Sequence, residues 1–200
     1  MKIERIGDCT LYLADCMDIL PRLDSVDAVV TDPPYGINQD QGFRGGGLRF
    51  TKRSVYTGEW DRDRPSKEVF EQVLMSAKNC IIFGGNYFTD LLPVGKHWFV
   101  WDKRNTMPSF SDCELAWSNI NRKSVKLLSY EYNGVLGKRE KRVHPTQKPY
   151  EVMRWCIGKL PEPSNVILDP FMGSGTTLRA AKDLNRKAIG IEIEERYCEI

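Results

Sequence analysis

Short apolar runs alternate with helical stretches along this 200-residue chain. That alternation is typical of an α/β protein, in which helices cover the faces of a mostly parallel sheet. We expect strands at 10–14, 28–31, 80–83, 98–101, 114–117, 166–168 and 188–193, and helices at 17–23, 67–78, 87–92, 149–159 and 176–184. The sequence therefore predicts a sheet of seven strands in a single domain that spans residues 1–200.

Composition excludes several other classes of protein. Hydrophobic residues make up 41% and charged residues 28% of the chain, which disfavours disorder, collagen and coiled coils. Charges at Lys2, Glu4 and Arg5 leave no apolar core for a signal peptide, and no run approaches the length of a membrane span. We therefore expect a cytoplasmic protein.

The six cysteines form no C-x-x-C pair, and only two histidines accompany them. A structural zinc site needs clustered thiolates or imidazoles. We therefore expect no metal site and reduced thiols, several of them buried.

The turn Asp32-Pro33-Pro34-Tyr35 follows a hydrophobic strand directly. Ligands of open α/β sheets gather beyond the carboxyl ends of the strands, and two prolines make a stiff turn without two backbone donors. Such a turn presents a carboxylate, a carbonyl and an aromatic face in fixed relation. An ordinary proline turn is the alternative, but average residue usage gives this tetrapeptide in roughly one chain of this size in a thousand.

That set of groups suits an aromatic amino group as the target. The lone pair of such a nitrogen is delocalised into the ring, which makes it a poor nucleophile. Two acceptors on its hydrogens favour a pyramidal nitrogen with the lone pair free to attack a methyl group, and a stacked ring would hold the base.

A second strand–turn–helix motif runs from Asp169 to Thr177, with Phe171-Met172-Gly173-Ser174-Gly175 at its centre. Glycines let the backbone approach a ligand closely, and a helix N-terminus favours an anionic group. Glu192 ends the next strand, where an acid commonly binds ribose hydroxyls. Leu178 replaces the third glycine of a dinucleotide motif, so an adenosyl ligand fits better, and a glycine-rich helix start with a surface glutamate remains the alternative.

Two further motifs are weaker. The segment His144-Pro145-Thr146-Gln147-Lys148-Pro149 offers groups that suit a carboxylate, but taken alone it is better explained as a helix N-terminus with a proline stop. Ala14-Asp15-Cys16 closes the first strand, where it could read an adenine edge or simply cap a helix.

Basic residues concentrate in one stretch. Residues 121–148 hold eight basic side chains against Glu131 and Glu140, a net charge of +6. Such a stretch could neutralise phosphates or be a solvated loop. Residues 36–64 form a long polar, glycine-rich segment without clear periodicity, and long loops of this kind tend to be functional or mobile.

These motifs, in this order, resemble those of the DNA amino-methyltransferases, which act on adenine N6 or cytosine N4. The turn at 32–35 precedes the turn at 169–175, which looks like the circularly permuted beta class. The resemblance implies a seven-stranded sheet with one reversed strand, S-adenosylmethionine as the cofactor and double-stranded DNA as the substrate. It also leaves room for a homodimer and for a cognate restriction enzyme, in a bacterial or phage-infected cell.

The resemblance also implies roles for individual residues. Asp32 and the Pro33 carbonyl would accept the hydrogens of the target amino group, with Pro34 stiffening the turn and Tyr35 stacking on a flipped base. The residues implied at the cofactor are Asp15, Cys16, Asp32, Thr146, Lys148, Asp169, Phe171, Gly173, Gly175, Thr176 and Glu192. Asp at the head of the turn favours adenine, whereas Ser there is more typical of cytosine N4.

The candidate DNA-binding residues lie in two segments. They are Arg44, Arg49, Lys52 and Arg53 in the glycine-rich loop, and Arg122, Lys123, Lys138, Arg139, Lys141 and Arg142 in the segment 119–143. The segment 119–143 stands where relatives carry a larger target-recognition insert. The 36–64 loop is expected to close over DNA and to share the recognition.

Other functions remain open from the sequence alone. The same chemistry could act on cytosine N4 or on RNA. An inactive nucleic-acid-binding module would show decayed motifs, and both turns are intact. A nucleotide-binding oxidoreductase is disfavoured by the short spacing to Glu192 and by the missing third glycine.

Overall fold

The computed structural model describes residues 1–37, 61–104, 111–131 and 147–198. Within these ranges the chain forms one sheet of nine strands. The strands are β1 (Lys2–Ile6), β2 (Cys9–Leu13), β3 (Val26–Thr31), β4 (Ala77–Phe83), β5 (His97–Asp102), β6 (Cys113–Ser118), β7 (Val125–Ser129), β8 (Val166–Asp169) and β9 (Lys187–Glu192).

The strand order across the sheet is β1-β2-β9-β8-β3-β4-β6-β5-β7. The five strands from β2 to β4 in that order pair in parallel. β6 pairs antiparallel with both β4 and β5, β7 pairs parallel with β5, and β1 pairs antiparallel with β2. The sheet is therefore mostly parallel, and β1 and β6 are its two reversed strands.

The prediction of seven strands with one reversed was wrong by two strands. Both missed strands, β1 and β7, lie at the edges of the sheet. All five residues of β1 are exposed, and in β7 the exposed Val125 and Leu127 alternate with partly buried residues. An edge strand with a solvated face does not need the continuous apolar run that marks a central parallel strand.

Helices pack on both faces of the sheet. They are α1 (Cys16–Ile19), α2 (Lys67–Met75), α3 (Tyr150–Ile157), α4 (Thr176–Asp183) and α5 (Glu195–Cys198), with 3₁₀ turns at Leu20–Arg22 and Gly85–Tyr87. The helix predicted over 67–78 ends earlier because Ala77 and Lys78 already belong to β4. The predicted helix at 87–92 is not an α-helix, since the chain there makes only the 3₁₀ turn and isolated turns.

The two faces of β3 and β4 contribute to two separate parts of the core. Val30 and Ile81 belong to the cluster that includes Val152 and Ile157 of α3, whereas Val29 and Ile82 belong to the cluster under α2. This alternation follows from the two-residue period of a strand. Both faces of the central strands are covered by helices. A site can therefore form beyond the carboxyl ends of these strands.

Three cysteines, Cys9, Cys80 and Cys156, are buried, and all six are free thiols. Burial raises the pKa of the Cys80 thiol to about 12. None of the helices in the described ranges is long and apolar enough to cross a membrane.

Substitution of Ile81 by alanine tests the importance of the central strands. Ile81 is fully buried in β4, so Ile81→Ala should lower the free energy of unfolding by about 2–5 kcal/mol. The matched control is Ile3→Ala in β1, where the side chain is 48% exposed and the loss should be about 0.5 kcal/mol or less. Urea denaturation measures both, and equal losses would contradict this assignment of core and edge.

Candidate functional site

The two strand–turn motifs meet at the carboxyl edge of the sheet. β3 and β8 are adjacent and parallel, so the turns that follow them lie side by side. Thr31, the residue before the first turn, donates a hydrogen bond from Oγ1 to Oδ1 of Asp169, at 2.6 Å. The backbone N–H of Phe171 donates to the same oxygen at 3.1 Å. This shared carboxylate fixes the two turns relative to each other.

A cavity of about 500 Å³ opens between these turns. Nine of the predicted cofactor residues line it: Asp15, Cys16, Asp32, Lys148, Asp169, Phe171, Gly173, Thr176 and Glu192. Gly175 is instead the N-cap residue of α4, with a φ of +76° that favours glycine. Thr146 lies outside the described residues.

The carboxylate of Glu192 holds the glycine turn at one end of the cavity. Its Oε2 accepts a hydrogen bond from the backbone N–H of Gly173 and its Oε1 from that of Glu194, each at 2.8 Å. Burial raises the pKa of Glu192 above its ordinary value, against these two hydrogen bonds. Each oxygen keeps a second lone pair, which leaves Glu192 able to accept hydroxyl groups from a ligand.

Asp15 and Cys16 form another wall of the cavity. Asp15 is the N-cap of α1, and its side chain accepts the backbone N–H of Met17 at 2.8 Å. Asp15 therefore caps the helix, as the alternative interpretation predicted, and it also lines the cavity. Burial raises the pKa of the Cys16 thiol to about 12, so Cys16 is an inert, protonated side chain.

The carboxylate of Asp32 is engaged on both oxygens. Oδ1 accepts the hydroxyl of Tyr35 and Oδ2 accepts Nζ of Lys148, both at 2.5 Å. Burial raises the pKa of Asp32, although the Lys148 ammonium opposes the shift. Lys148 thus lines the cavity, and its ammonium group contacts the turn Asp32–Tyr35.

Glu114, at the beginning of β6, completes this charged cluster. Its Oε2 lies 3.1 Å from Nζ of Lys148, and its Oε1 lies 2.7 Å from Nζ of Lys103. Burial would lower the pKa of Lys148, but Asp32 and Glu114 outweigh it and raise that pKa above the ordinary value. The sequence did not predict Glu114, because a strand start is not where a parallel sheet places its ligands.

The ring of Tyr35 packs against Tyr87, with ring centroids 4.8 Å apart and planes 17° from parallel. Gly84 makes this position accessible, because a Cβ there would lie 2.2 Å from Cε1 of Tyr35. The sequence predicted only that a strand ends at residue 83, directly before Gly84. In the structure, Gly84 is the reason that the aromatic ring can approach the backbone just after β4.

Asp61 and Arg64 hold in place the segment that follows residues 38–60. Oδ1 of Asp61 accepts the backbone N–H groups of Tyr35 and Gly36, at 2.8 and 3.1 Å. Arg64 makes two hydrogen bonds to the carboxylate of Asp90. Nothing in the polar stretch 61–64 predicted these roles. The two ends of the predicted DNA-closing loop are thus joined at the turn Asp32–Tyr35.

Only two of the predicted DNA-binding residues can be placed. Arg122 and Lys123 are exposed and follow β6. Because β6 is reversed, its end lies at the edge of the sheet opposite the cavity. The other eight, Arg44, Arg49, Lys52, Arg53, Lys138, Arg139, Lys141 and Arg142, lie outside the described residues. The structure therefore does not bring Arg122 and Lys123 to the cavity.

A family model described as DNA methylase matches residues 96–200, just over half of the chain. The chain belongs to this DNA methylase family. The resemblance to DNA amino-methyltransferases is thereby confirmed. The matched region contains β5 to β9 and the glycine turn.

Individual relatives agree with the family assignment. The Type II methyltransferase M.HinfI of Haemophilus influenzae is 27% identical over 100% of this chain and 69% of its own length. The protein chain in a crystal structure of the M1.HpyAVI–SAM complex is 26% identical in sequence to this chain, with a TM-score of 0.64 and 96% of each chain covered. The PvuII DNA methyltransferase, named as cytosine-N4-specific, has a TM-score of 0.61 over 94% of this chain and 83% of its own, but at 17% identity it shows the fold alone.

Substitution of Gly84 by alanine should cost more stability than backbone strain alone explains, because it displaces Tyr35. Gly84 and Gly7 have nearly the same left-handed φ, +69° and +60°, but nothing lies within 4 Å of a Cβ at Gly7. Gly7→Ala should cost about 1–2 kcal/mol of stability from strain, and Gly84→Ala about 1–3 kcal/mol more from the displaced Tyr35. Thermal denaturation compares the two, and equal losses would contradict the close approach of the ring.

Asp169 should make stability depend on pH. Burial raises the pKa of Asp169 from 3.8 to about 6, against its hydrogen bonds from Thr177 and Thr31. Between those pH values the unfolded chain ionises while the folded protein keeps the proton. Wild type should therefore lose up to about 3 kcal/mol relative to Asp169→Asn as pH rises from about 3 to about 7, most of it between about pH 4 and pH 6.

Urea denaturation at several pH values measures this difference. The matched control is the exposed Asp24, whose change to asparagine should leave the pH profile unaltered. A difference between wild type and Asp169→Asn that is constant over this range, or that grows in favour of wild type, would contradict the prediction.

Proposed function

We propose that this protein transfers a methyl group from S-adenosylmethionine to N6 of adenine in double-stranded DNA. The observation that carries the proposal is the single cavity that brings Asp32 of the D-P-P-Y turn together with the glycine turn and Glu192. Membership of a DNA methylase family supports the reaction, and the M1.HpyAVI–SAM complex supports the cofactor.

The lining of the cavity fits S-adenosylmethionine. A volume of about 500 Å³ is within the usual range for cofactor pockets. Glu192 would accept the ribose hydroxyls through its spare lone pairs, and Asp15 and Cys16 would flank the adenine. Phe171 and Gly173 would shape the methionine side. Bound there, the cofactor supplies an electrophilic methyl group on a sulfonium sulfur, which leaves as a neutral thioether.

The other residues that we propose to contribute to cofactor binding are Gly175, Thr176, Asp169, Thr146 and Lys148. Gly175 begins α4, and Thr176 lies in its first turn, where backbone N–H groups favour an anion. Asp169 would act by holding the two turns together. Thr146 and Lys148 would lie near the cofactor carboxylate. The ammonium group of Lys148 would then lie between that carboxylate and the carboxylate of Asp32.

The catalytic turn would activate the amino nitrogen. Asp32 and the carbonyl of Pro33 accept its two hydrogens and so free its lone pair, while Pro34 keeps the carbonyl in position. The nitrogen then attacks the methyl carbon in line, and the proton that it must lose passes to Asp32 and on to water. A carboxylate whose pKa is raised by burial suits that task. The protein contributes mainly positioning and electrostatics.

The target base must leave the duplex to reach this turn. Tyr35 would stack on the extruded base from its place beside Tyr87. The ends of the 36–64 loop meet at the catalytic turn through Asp61, which supports a role for that loop in covering DNA. The segment 119–143 includes β7, whose end lies at the cavity edge of the sheet, and we propose that the segment takes part in target recognition.

Two finer assignments complete the proposal. The order of the motifs supports the circularly permuted beta class. The Type II methyltransferases among its relatives support site-specific modification alongside a cognate restriction enzyme, and a homodimer is compatible with the short recognition segment. Asp32 at the head of the turn favours adenine over cytosine.

Removal of the Asp32 carboxylate tests the mechanism. Asp32→Ala should lower the rate of methyl transfer from tritiated S-adenosylmethionine to duplex DNA by at least about a hundredfold. Cofactor binding measured by calorimetry should persist, because Glu192 and the glycine turn are intact. The control is Asp24→Ala, at an exposed position, which should retain activity. Full activity of Asp32→Ala would refute this role.

Mass spectrometry of nucleosides from the same reactions tests the choice of base. N6-methyladenine is the expected product. N4-methylcytosine would refute the assignment of adenine while keeping the amino-group chemistry, and methylation of RNA alone would refute the assignment of DNA.

A further inference from the structure

Lys148 lies where the target amino group has to bind. Its Nζ is 2.5 Å from Oδ2 of Asp32 and 5.4 Å from the centre of the Tyr35 ring. The Lys148 side chain is only 8% exposed, so it is held in the protein rather than in solvent. The cluster as described therefore presents Asp32 with one of its oxygens already taken by a cation.

The charge on Lys148 makes this arrangement unfavourable for the reaction. An amino nitrogen becomes positively charged as its new bond to carbon forms. An ammonium group in contact with the same carboxylate repels that charge, and the repulsion is strong in a poorly solvated site. Lys148 must therefore give up Oδ2 of Asp32 before the methyl group is transferred.

Glu114 provides the place to which Lys148 can move. Its Oε2 is already 3.1 Å from Nζ of Lys148. That oxygen is buried, and no described residue donates an aligned hydrogen bond to it, so it has room for a stronger one. A shift of Lys148 from Asp32 to Glu114 keeps the buried ammonium next to a carboxylate throughout, which avoids the cost of an unpaired buried charge.

We propose that Glu114 is a positioning residue that takes over Lys148 when the target amino group replaces it on Asp32. This inference rests on the proposed function, in which Asp32 receives the amino group. It assigns Lys148 the task of neutralising Asp32 in the absence of substrate. Lys103, 2.7 Å from the other oxygen of Glu114, competes for the same carboxylate and sets how strongly Glu114 attracts Lys148.

The test measures single-turnover methyl transfer to duplex DNA at saturating cofactor. Glu114→Gln removes the charge that draws Lys148 away, so the rate should fall about tenfold or more. The dissociation constant of S-adenosylmethionine should stay within about twofold, because Glu114 does not line the cavity. Equal rates for Glu114→Gln and wild type would overturn the inference.

Lys103→Gln is the matched control. It breaks the other ion pair of Glu114 but leaves the carboxylate free for Lys148, so the rate should stay within about threefold of wild type or rise. A structural role for Glu114 would slow both variants alike, and that result would overturn the inference.

The double variant Glu114→Gln with Lys148→Gln distinguishes this role from a purely structural role of Glu114. Without Lys148 nothing has to leave Asp32, so the double variant should be faster than Glu114→Gln. A double variant as slow as Glu114→Gln or slower would overturn the inference.

Glu114→Asp replaces Glu114→Gln if the latter does not fold. The shorter side chain keeps the negative charge but holds it farther from Lys148, so the rate should fall by less than is expected for Glu114→Gln. A wild-type rate of Glu114→Asp would overturn the inference.

The outcomes also separate this inference from the proposed function. If wild type does not methylate DNA, the proposed function fails and this inference fails with it. If wild type methylates DNA and Asp32→Ala does not, but Glu114→Gln is as fast as wild type, the proposed function stands and only the role of Glu114 is refuted.

Discussion

The parallel placement of β3 between β4 and β8 is the constraint on which the site depends. Parallel strands bring their carboxyl ends to one edge, and here they bring two turns that are 137 residues apart in sequence (Asp32 and Asp169) next to each other. The hydrogen bond from Thr31 to Asp169 then joins the turns directly. Without that pairing there would be no common cavity.

The cluster of Asp32, Glu114, Lys103 and Lys148 is the second defining feature. Charges are costly to bury, and two carboxylates with two ammonium groups offset each other at that edge of the sheet. Such a cluster contributes less to stability than an apolar core of the same size would. Perturbed titratable groups of this kind concentrate at functional sites, and this cluster surrounds the turn Asp32–Tyr35.

Much of the site could be predicted because its residues follow central strands. Asp32, Asp169 and Glu192 each stand at or directly after the end of a buried apolar run, and the carboxyl ends of parallel strands converge. The same reasoning fails for Glu114, which begins its strand. Only the reversed direction of β6 brings Glu114 to the cavity edge, and the same reversal carries Arg122 and Lys123 to the opposite edge.

By itself, the sequence determined the α/β architecture, the two turns and nine of the residues around the cavity, since those depend on apolar periodicity and on local backbone chemistry. Only the tertiary structure decided the edge strands β1 and β7, the contact of Lys148 with Asp32, and the approach of Tyr35 over Gly84. These depend on which strands are neighbours and on which way each one runs. Pairing and direction arise from packing across the whole sheet, so no local pattern in the chain encodes them.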